Sequence, residues 1–179
     1  MAKKVLIISA SARRNGNSEI LCDQFLKGAQ EAGHEAEKVF LRDKNIKYCT
    51  GCYTCEKTIG ICAYKDDMPE LLQKIIDADI LVLSTPVYFY CMNAQLKTVI
   101  DRTVARYTEI RDKDAYLIAT AGEPEMKAME GTITSFRSFL DCLENVREAG
   151  LILGHGVHIL GEVKDNPVMQ EAYQAGLTA

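Results

Sequence analysis

The stretch VLIISASARRNGNS, residues 5–18, decides the fold. Val5, Leu6, Ile7 and Ile8 form an unbroken apolar run rich in β-branched side chains. A strand with one wet face would alternate. This one predicts a strand buried on both faces, as in a parallel sheet. From Ser9 the chain turns polar and small, and from Ser18 a new period begins. Ile20, Leu21, Phe25, Leu26 and Ala29 fall at helical spacing, and Gly33 stops the helix. Strand, polar turn and helix make the first half of a βα unit.

The pattern repeats outward. Residues 37–41 predict a second strand. Asp66 and Asp67 cap a helix over 68–78, with Pro69 in its first turn, where proline is tolerated. Residues 80–83 predict a third strand, closed by Ser84-Thr85-Pro86, and a helix follows over 94–106. A fourth strand over 115–119 ends at Thr120-Ala121-Gly122, and another helix spans 131–145. A fifth strand covers 148–153 and can extend through a kink at 154–156 to Leu160; Asn166-Pro167 opens a last short helix. Alternating strands and helices imply right-handed crossovers and helices on both faces of the sheet. The expected class is α/β, a flavodoxin-like doubly wound parallel five-stranded sheet of order 2-1-3-4-5, with residues 1–179 as one domain. Ligands of such sheets bind beyond the carboxyl ends of the strands, at the switch point. The loops after Ile8, Leu83 and Ala119 should therefore meet.

Composition narrows the function. The chain has 179 residues, 47% apolar and 26% charged, with a net charge of −4. That argues against a nucleic-acid partner, since Arg13-Arg14 is too short for a basic footprint. No apolar run reaches the roughly 18 residues of a membrane span. Val5–Ile8 is also far shorter than the roughly 7–15 residues of a signal-peptide core. A cytoplasmic setting is expected, where clustered cysteines point to metal or redox work.

The turn from Ser9 to Ser18 is neither a Walker A loop nor G-x-G-x-x-G. It still has the chemistry of an anion site: hydroxyls, an amide, guanidinium groups and the free N–H groups of a helix N-terminus. Helix capping by Asn17 or Ser18 beside a solvated arginine pair is the plainer alternative.

S-A-R-R-N-G-N-S resembles the S-P-R-x-x-G-N-[ST] loop of the NADPH-dependent FMN reductase family, with Ala12 where that family usually has proline. Asp66-Asp67-Met68 and the run from Ser84 to Arg102, STPVYFYCMNAQLKTVIDR, agree with it. The likeness covers about residues 4–122. It implies FMN, with its 5′-phosphate held by Ser11, Arg13, Asn17 and Ser18. Ser9 is a weaker member that could merely close the strand, and Arg14 is expected to face solvent.

Pro86-Val87-Tyr88-Phe89 should present backbone groups and an apolar face to the flavin ring, Thr120 and Ala121 lie beside it, and Gly122 allows close backbone approach. Tyr90 reads as a core-capping or interface aromatic. Lys97 and Asp101 read as a helix ion pair, with Arg102 structural. Cys22, Cys91 and Cys142 read as small apolar packing, and the three histidines receive no role. No acid, base or nucleophile constellation stands out, which fits chemistry carried by a flavin.

Four of the seven cysteines remain: Cys49, Cys52, Cys55 and Cys62, spaced C-x2-C-x2-C-x6-C. Zinc sites usually split their ligands into distant pairs. This compact run is similar to bacterial iron–sulfur cluster motifs and to the iron–sulfur flavoproteins, a branch of the same family that binds a [4Fe–4S] cluster. Thiols without a cofactor, a zinc site and a redox disulfide stay open beside it. The resemblance implies an FMN-dependent NAD(P)H oxidoreductase passing electrons to a quinone, azo or nitro compound, or free flavin. The alternatives are an electron carrier using FMN and a cluster, and a flavin-free scaffold. The long loop over 43–67 carries Ile46, Tyr48, Tyr53, Ile59, Ile61 and Tyr64. So many apolar groups predict a homodimer or tetramer with this loop and residues 88–93 at the boundary.

Overall fold

A computed structural model describes residues 1–179. Strands β1 (Lys4–Ser9), β2 (Glu35–Phe40), β3 (Ile80–Tyr88), β5 (Arg111–Thr120) and β6 (Glu144–Gly154) form a parallel sheet in the order β2-β1-β3-β5-β6. A two-residue strand, β4 (Cys91–Met92), folds back antiparallel onto the end of β3. Without β4, this is the expected 2-1-3-4-5 order. The helices are α1 (Asn17–Glu31), α2 (Thr54–Lys57), α3 (Met68–Asp77), α4 (Ala94–Arg102), α5 (Glu130–Leu140) and α6 (Val168–Leu177).

Strand alternation sorts the core into two layers. Val5, Ile7, Ile80, Val82 and Ile118 face α1 and α6, while Leu6, Ile8, Leu81, Leu83 and Leu117 face α3, α4 and α5. With both faces covered, the central strands read as continuous apolar runs. Helices α1 and α6 cross closely through two glycines. A Cβ at Gly28 would stand 2.2 Å from the Tyr173 carbonyl oxygen, and one at Gly176 would stand 2.1 Å from that of Phe25. Backbone on both sides leaves nothing to yield except the helix spacing.

Several boundaries differ from expectation, among them the end of β3, which runs on past Ser84-Thr85-Pro86 to Tyr88. The helix expected over 131–145 stops at Leu140, and residues from Glu144 pair with β5 instead. Leu140 and Leu143 have helical spacing, but Asn145 adopts φ 53° and the sheet edge captures the chain as β6. β6 ends at Gly154 and does not run to Leu160, because Gly156 turns the chain back with φ 70°. The helix expected to reach residue 106 ends at Arg102, followed by two 3-10 turns, Thr103–Ala105 and Tyr107–Glu109. β5 starts four residues early at Arg111, hidden by its charged composition. Its Lys113 is buried, and the amine donates to the carbonyls of Ile75, Ile76 and Ala78, closing the C-terminal end of α3. Burial pushes this amine below its usual pKa. No helix is long and apolar enough to cross a membrane.

Candidate functional site

The carboxyl ends of β1, β3 and β5 do converge, and hydrogen bonds join their loops. Ala10 N–H donates to the Ser84 carbonyl, and the buried Asn93 amide donates to the Ala10 carbonyl at 2.6 Å. Asn93 also accepts from Leu96 N–H, capping α4, and its own N–H donates to Thr85 Oγ1. One side chain thus fixes the loop after β1, the end of β3 and the start of a helix. Sequence reading passes over Asn93, although an asparagine directly before a helical period is a cap signal.

In the loop after β1, Gly16 is the N-cap of α1, and no side chain caps the helix. The first-turn N–H groups therefore remain for an outside acceptor. The turn is tight: a Cβ at Gly16 would lie 2.4 Å from Ser11 Oγ, which donates to the Arg13 carbonyl at 2.7 Å. Arg13 is exposed. Arg14 pairs with Asp43 at 3.0 Å, so it is not simply solvated. Ser18 is buried at the mouth of the helix, and Ser9 is fully buried with a hydroxyl that has no partner. Asn17 departs from its expected phosphate role. Its amide nitrogen donates to the carbonyls of Val157 and Ile159, and its oxygen accepts from Val163 N–H. The side chain is committed to holding segment 157–163 against α1. Beneath the loop, Arg42 makes two hydrogen bonds to buried Glu19, at 2.5 and 3.2 Å, and reaches the Ser11 carbonyl at 3.4 Å. Neither residue stands out in the sequence. Their separation of 23 positions gives no local signal.

The expected platform after β3 is a hairpin. Pro86 and Val87 still belong to β3, and Val87 and Tyr88 pair with Met92 and Cys91. Phe89 and Tyr90 form the two-residue turn with φ of 49° and 63°. Such a turn normally draws glycine or asparagine, so two aromatic residues there are a stored strain. Phe89 is 100% exposed, and Tyr88 and Tyr90 are exposed as well. The Tyr90 carbonyl presses on α5, where a Cβ at Gly131 would meet it at 2.3 Å. Cys91 is exposed beside Ser135, and Cys142 is exposed near the end of α5; neither is the buried packing residue expected. Cys22 is buried, and burial pushes its thiol up to about 12. Since Tyr88 is the residue expected against the flavin ring, replacing Tyr88 should perturb flavin absorbance and turnover more than replacing Tyr90. A larger effect at Tyr90 would place the ring against the turn instead.

After β5, Thr120 and Ala121 are buried and Gly122 is exposed. Ala121 N–H donates to the Gly154 carbonyl, and its carbonyl accepts from Val157 N–H. A Cβ at Gly122 would lie 3.0 Å from His158 Nδ1, so the fold delivers His158 to this loop. Glu162 holds the adjoining turn by accepting from the N–H groups of His158 and Ile159, which draw its carboxyl below its usual pKa.

The cysteine loop lies across α3 and the end of α4. It is not wholly irregular, since α2 forms one turn within it. Tyr53 and Ile59 adopt φ of 56° and 53°, and a β-branched residue there is a true outlier. Ile46 and Tyr64 turn inward, whereas Tyr48, Tyr53, Ile59 and Ile61 are exposed. The loop is fastened by an ion pair between Asp66 and Arg102, whose side chains are 1% and 2% exposed. Arg102 reaches both carboxylate oxygens, at 2.7 and 3.0 Å, and also donates to the Lys47 carbonyl at 2.6 Å. Asp66 further accepts from the N–H groups of Lys47 and Met68, while Asp67 accepts from that of Asn45. Thus Asp67, the N-cap residue, makes no side-chain cap bond to α3, while Asp66 takes the N–H of Met68 from outside the helix and closes the loop.

All four loop cysteines line one cavity of about 170 Å³, together with Tyr64 and Arg102. No three Cys, His, Asp or Glu side chains converge closely enough to share a single metal ion. A mononuclear zinc site would need such convergence, with sulfurs about 2.3 Å from one ion. An iron–sulfur cluster spreads its thiolates over separate irons, so four thiols around a cavity fit that donor set. Hydrogen bonding with Thr54 holds the Cys52 thiol below its usual pKa, and Cys49 Sγ accepts from Gly51 N–H at 3.5 Å. The loop after β1 likewise fits a phosphate, through its uncapped helix, its tight turn and the exposed Arg13.

A family model described as NADPH-dependent FMN reductase matches residues 3–146, and the chain belongs to that oxidoreductase family. Within it, the chain falls in the iron–sulfur flavoprotein-like branch. It is 34% identical over 178 residues to an iron–sulfur flavoprotein of Archaeoglobus fulgidus, covering 97% of this chain and 77% of that one. It is 41% identical over 100 residues to another of Methanocaldococcus jannaschii, covering 56% of this chain and 51% of that relative. Among solved structures, an NAD(P)H:quinone oxidoreductase from Methanothermobacter marburgensis superposes with a TM-score of 0.78 at 23% identity, covering 99% of this chain and 96% of that one. That last likeness speaks to the fold.

Proposed function

We propose that residues 1–179 form one FMN-binding domain of an NAD(P)H-dependent oxidoreductase that also carries a [4Fe–4S] cluster on Cys49, Cys52, Cys55 and Cys62. The observation that carries this reading is the pairing of two features in one chain: an uncapped helix start at the switch point, and four thiols around a single cavity. FMN, when bound, would supply hydride and electron transfer between a nicotinamide and a small acceptor such as a quinone, azo or nitro compound. The chain's own residues position it. Ser11, Arg13, Ser18 and the first turn of α1 take the phosphate, Tyr88 and Phe89 flank the ring, and Thr120 to Gly122 border it.

The same loop favours a second reading, in which the protein relays electrons between protein partners. Cys49 and Cys52 are exposed in the same loop as exposed Tyr53, Ile59 and Ile61. Exposed aromatic and apolar residues at this loop and at the Phe89 turn also support a homodimer or tetramer. Light scattering checks that assembly, and a fully active, FMN-bound monomer would overturn it.

The deciding experiment is an absorption spectrum of anaerobically purified protein with iron and acid-labile sulfide analysis. Flavin bands with about four irons and four sulfides per chain are expected. NADH or NADPH oxidation with a small acceptor then favours the enzyme. Reduction solely by a reduced protein partner favours the relay. Flavin without iron would remove the cluster from both readings.

A further inference from the structure

Cys62 is half-buried, as is Cys55, whereas Cys49 and Cys52 are exposed. It also lies beyond a longer gap after Cys55, outside the compact run. It lines both the 170 Å³ cavity and a neighbouring one of about 630 Å³, and Arg102, Tyr64 and Ala105 line both with it. The Arg102 guanidinium stands over the Tyr64 ring at 5.3 Å, a favourable cation–π distance. Tyr64 is two residues from Cys62. Two contacts therefore act on segment 62–66 through one side chain, the Asp66 pair and the Tyr64 stack, while the bond to the Lys47 carbonyl holds the other arm of the loop.

Arg102 is itself held from behind. It ends α4, whose first turn is capped by Asn93, and Asn93 grips the loop after β1 and the end of β3. A nine-residue helix is about 13 Å long and stiff. One end of α4 thus meets the candidate flavin loops, and the other meets the cysteine loop.

We propose that Arg102 is a positioning residue that sets where the Cys62 sulfur stands, anchoring the outlying cysteine to the same helix that anchors the phosphate loop. The Tyr64 stack and the Asp66 pair fasten the chain two and four residues beyond Cys62. This rests on the reading of the loop as a redox site, but the contacts that position Cys62 belong to the chain with or without a cluster.

The test uses the full chain with FMN bound, purified anaerobically, as wild type, Arg102→Lys, and the double variant Asp66→Asn/Arg102→Gln. The double variant leaves no unpaired buried charge, so it keeps the fold while removing the guanidinium from Cys62. Site-resolved alkylation by mass spectrometry is followed with and without prior chelation of iron. Losing several such bonds should speed modification of Cys62 by about tenfold or more in the double variant, with an intermediate rate in Arg102→Lys. Cys49, two residues from the lost Lys47 bond, should gain less than Cys62, Cys52 should change by less than about twofold, buried Cys22 should stay protected, and FMN affinity should hold, because the Asn93 end of α4 is intact. If a cluster is present, its iron should pass to the chelator faster in the same order. An unchanged Cys62 rate would overturn the proposal. So would equal acceleration at all cysteines including Cys22, which would mean that Arg102 merely stabilises the fold. Iron and sulfide content of the wild type decides separately whether the loop holds a cluster.

Discussion

Asp66→Ala should lower the melting temperature by on the order of 10 °C, because it leaves Arg102 buried and unpaired. The side chains of the pair are 1% and 2% exposed, so little water reaches the guanidinium that loses its carboxylate. Breaking such a pair from one side typically costs about 3–5 kcal/mol. The loss should exceed that of any surface pair, such as Lys97 with Asp101, whose exposed side chains are worth about 0.5 kcal/mol. A pH signature accompanies it. Burial alone would raise the Asp66 carboxyl, but the Arg102 guanidinium and the N–H groups of Lys47 and Met68 outweigh it and hold the pKa below the usual value. A depressed folded-state pKa contributes stability that is complete above the unfolded value of about 4 and is lost as pH falls through the folded one. Wild-type stability should therefore decline below about pH 4, and Asp66→Asn should flatten that decline. Melting curves across pH check both. Equal slopes for wild type and Asp66→Asn would mean that Asp66 is not the acid-sensitive group.

Residues 5–8 and 80–83 are readable as buried strands because burial on both faces leaves an apolar run that needs no context. β5 hides its first four residues behind Arg111, Asp112, Lys113 and Asp114, since composition cannot reveal that Lys113 points inward to the carbonyls of α3. A helix over 131–145 is overdrawn because Leu140 and Leu143 satisfy helical spacing. The competing sheet edge, with Glu144 opposite Arg111, is a tertiary fact. At the site, the phosphate loop is legible as a contiguous motif following a strand. Asn17 belongs to that motif and still turns elsewhere, because Val157 and Ile159 arrive from 140 residues or more downstream. The four cysteines can be seen as a group, but not that they surround a cavity. That depends on Arg102 reaching back 36 positions to Asp66. The Asp-Asp-Met and Asp-Arg stretches are each visible in the sequence; their meeting is not.

Arg13→Ala should weaken FMN binding by roughly tenfold or more without moving the melting temperature of the flavin-free chain. Arg13 is exposed and, unlike Arg14, has no carboxylate within 4 Å, so its removal takes nothing from the fold. A guanidinium donating to a phosphate dianion is a charge-assisted contact, typically worth about 1.5–3 kcal/mol. Ser18→Ala should act in the same direction, since its hydroxyl sits at the uncapped start of α1. Arg14→Ala should change affinity by less than about twofold, because its guanidinium is spent on Asp43 and surface pairs contribute little. Asn17→Ala separates binding from scaffolding. Its amide holds segment 157–163, which in turn bonds to Ala121, so its loss should lower stability even without flavin. Isothermal titration with FMN, beside melting curves of the flavin-free chain, distinguishes the four variants. Arg13→Ala and Ser18→Ala that bind FMN like the wild type would remove the phosphate from this loop. Arg13→Ala that melts early would make the arginine a structural residue.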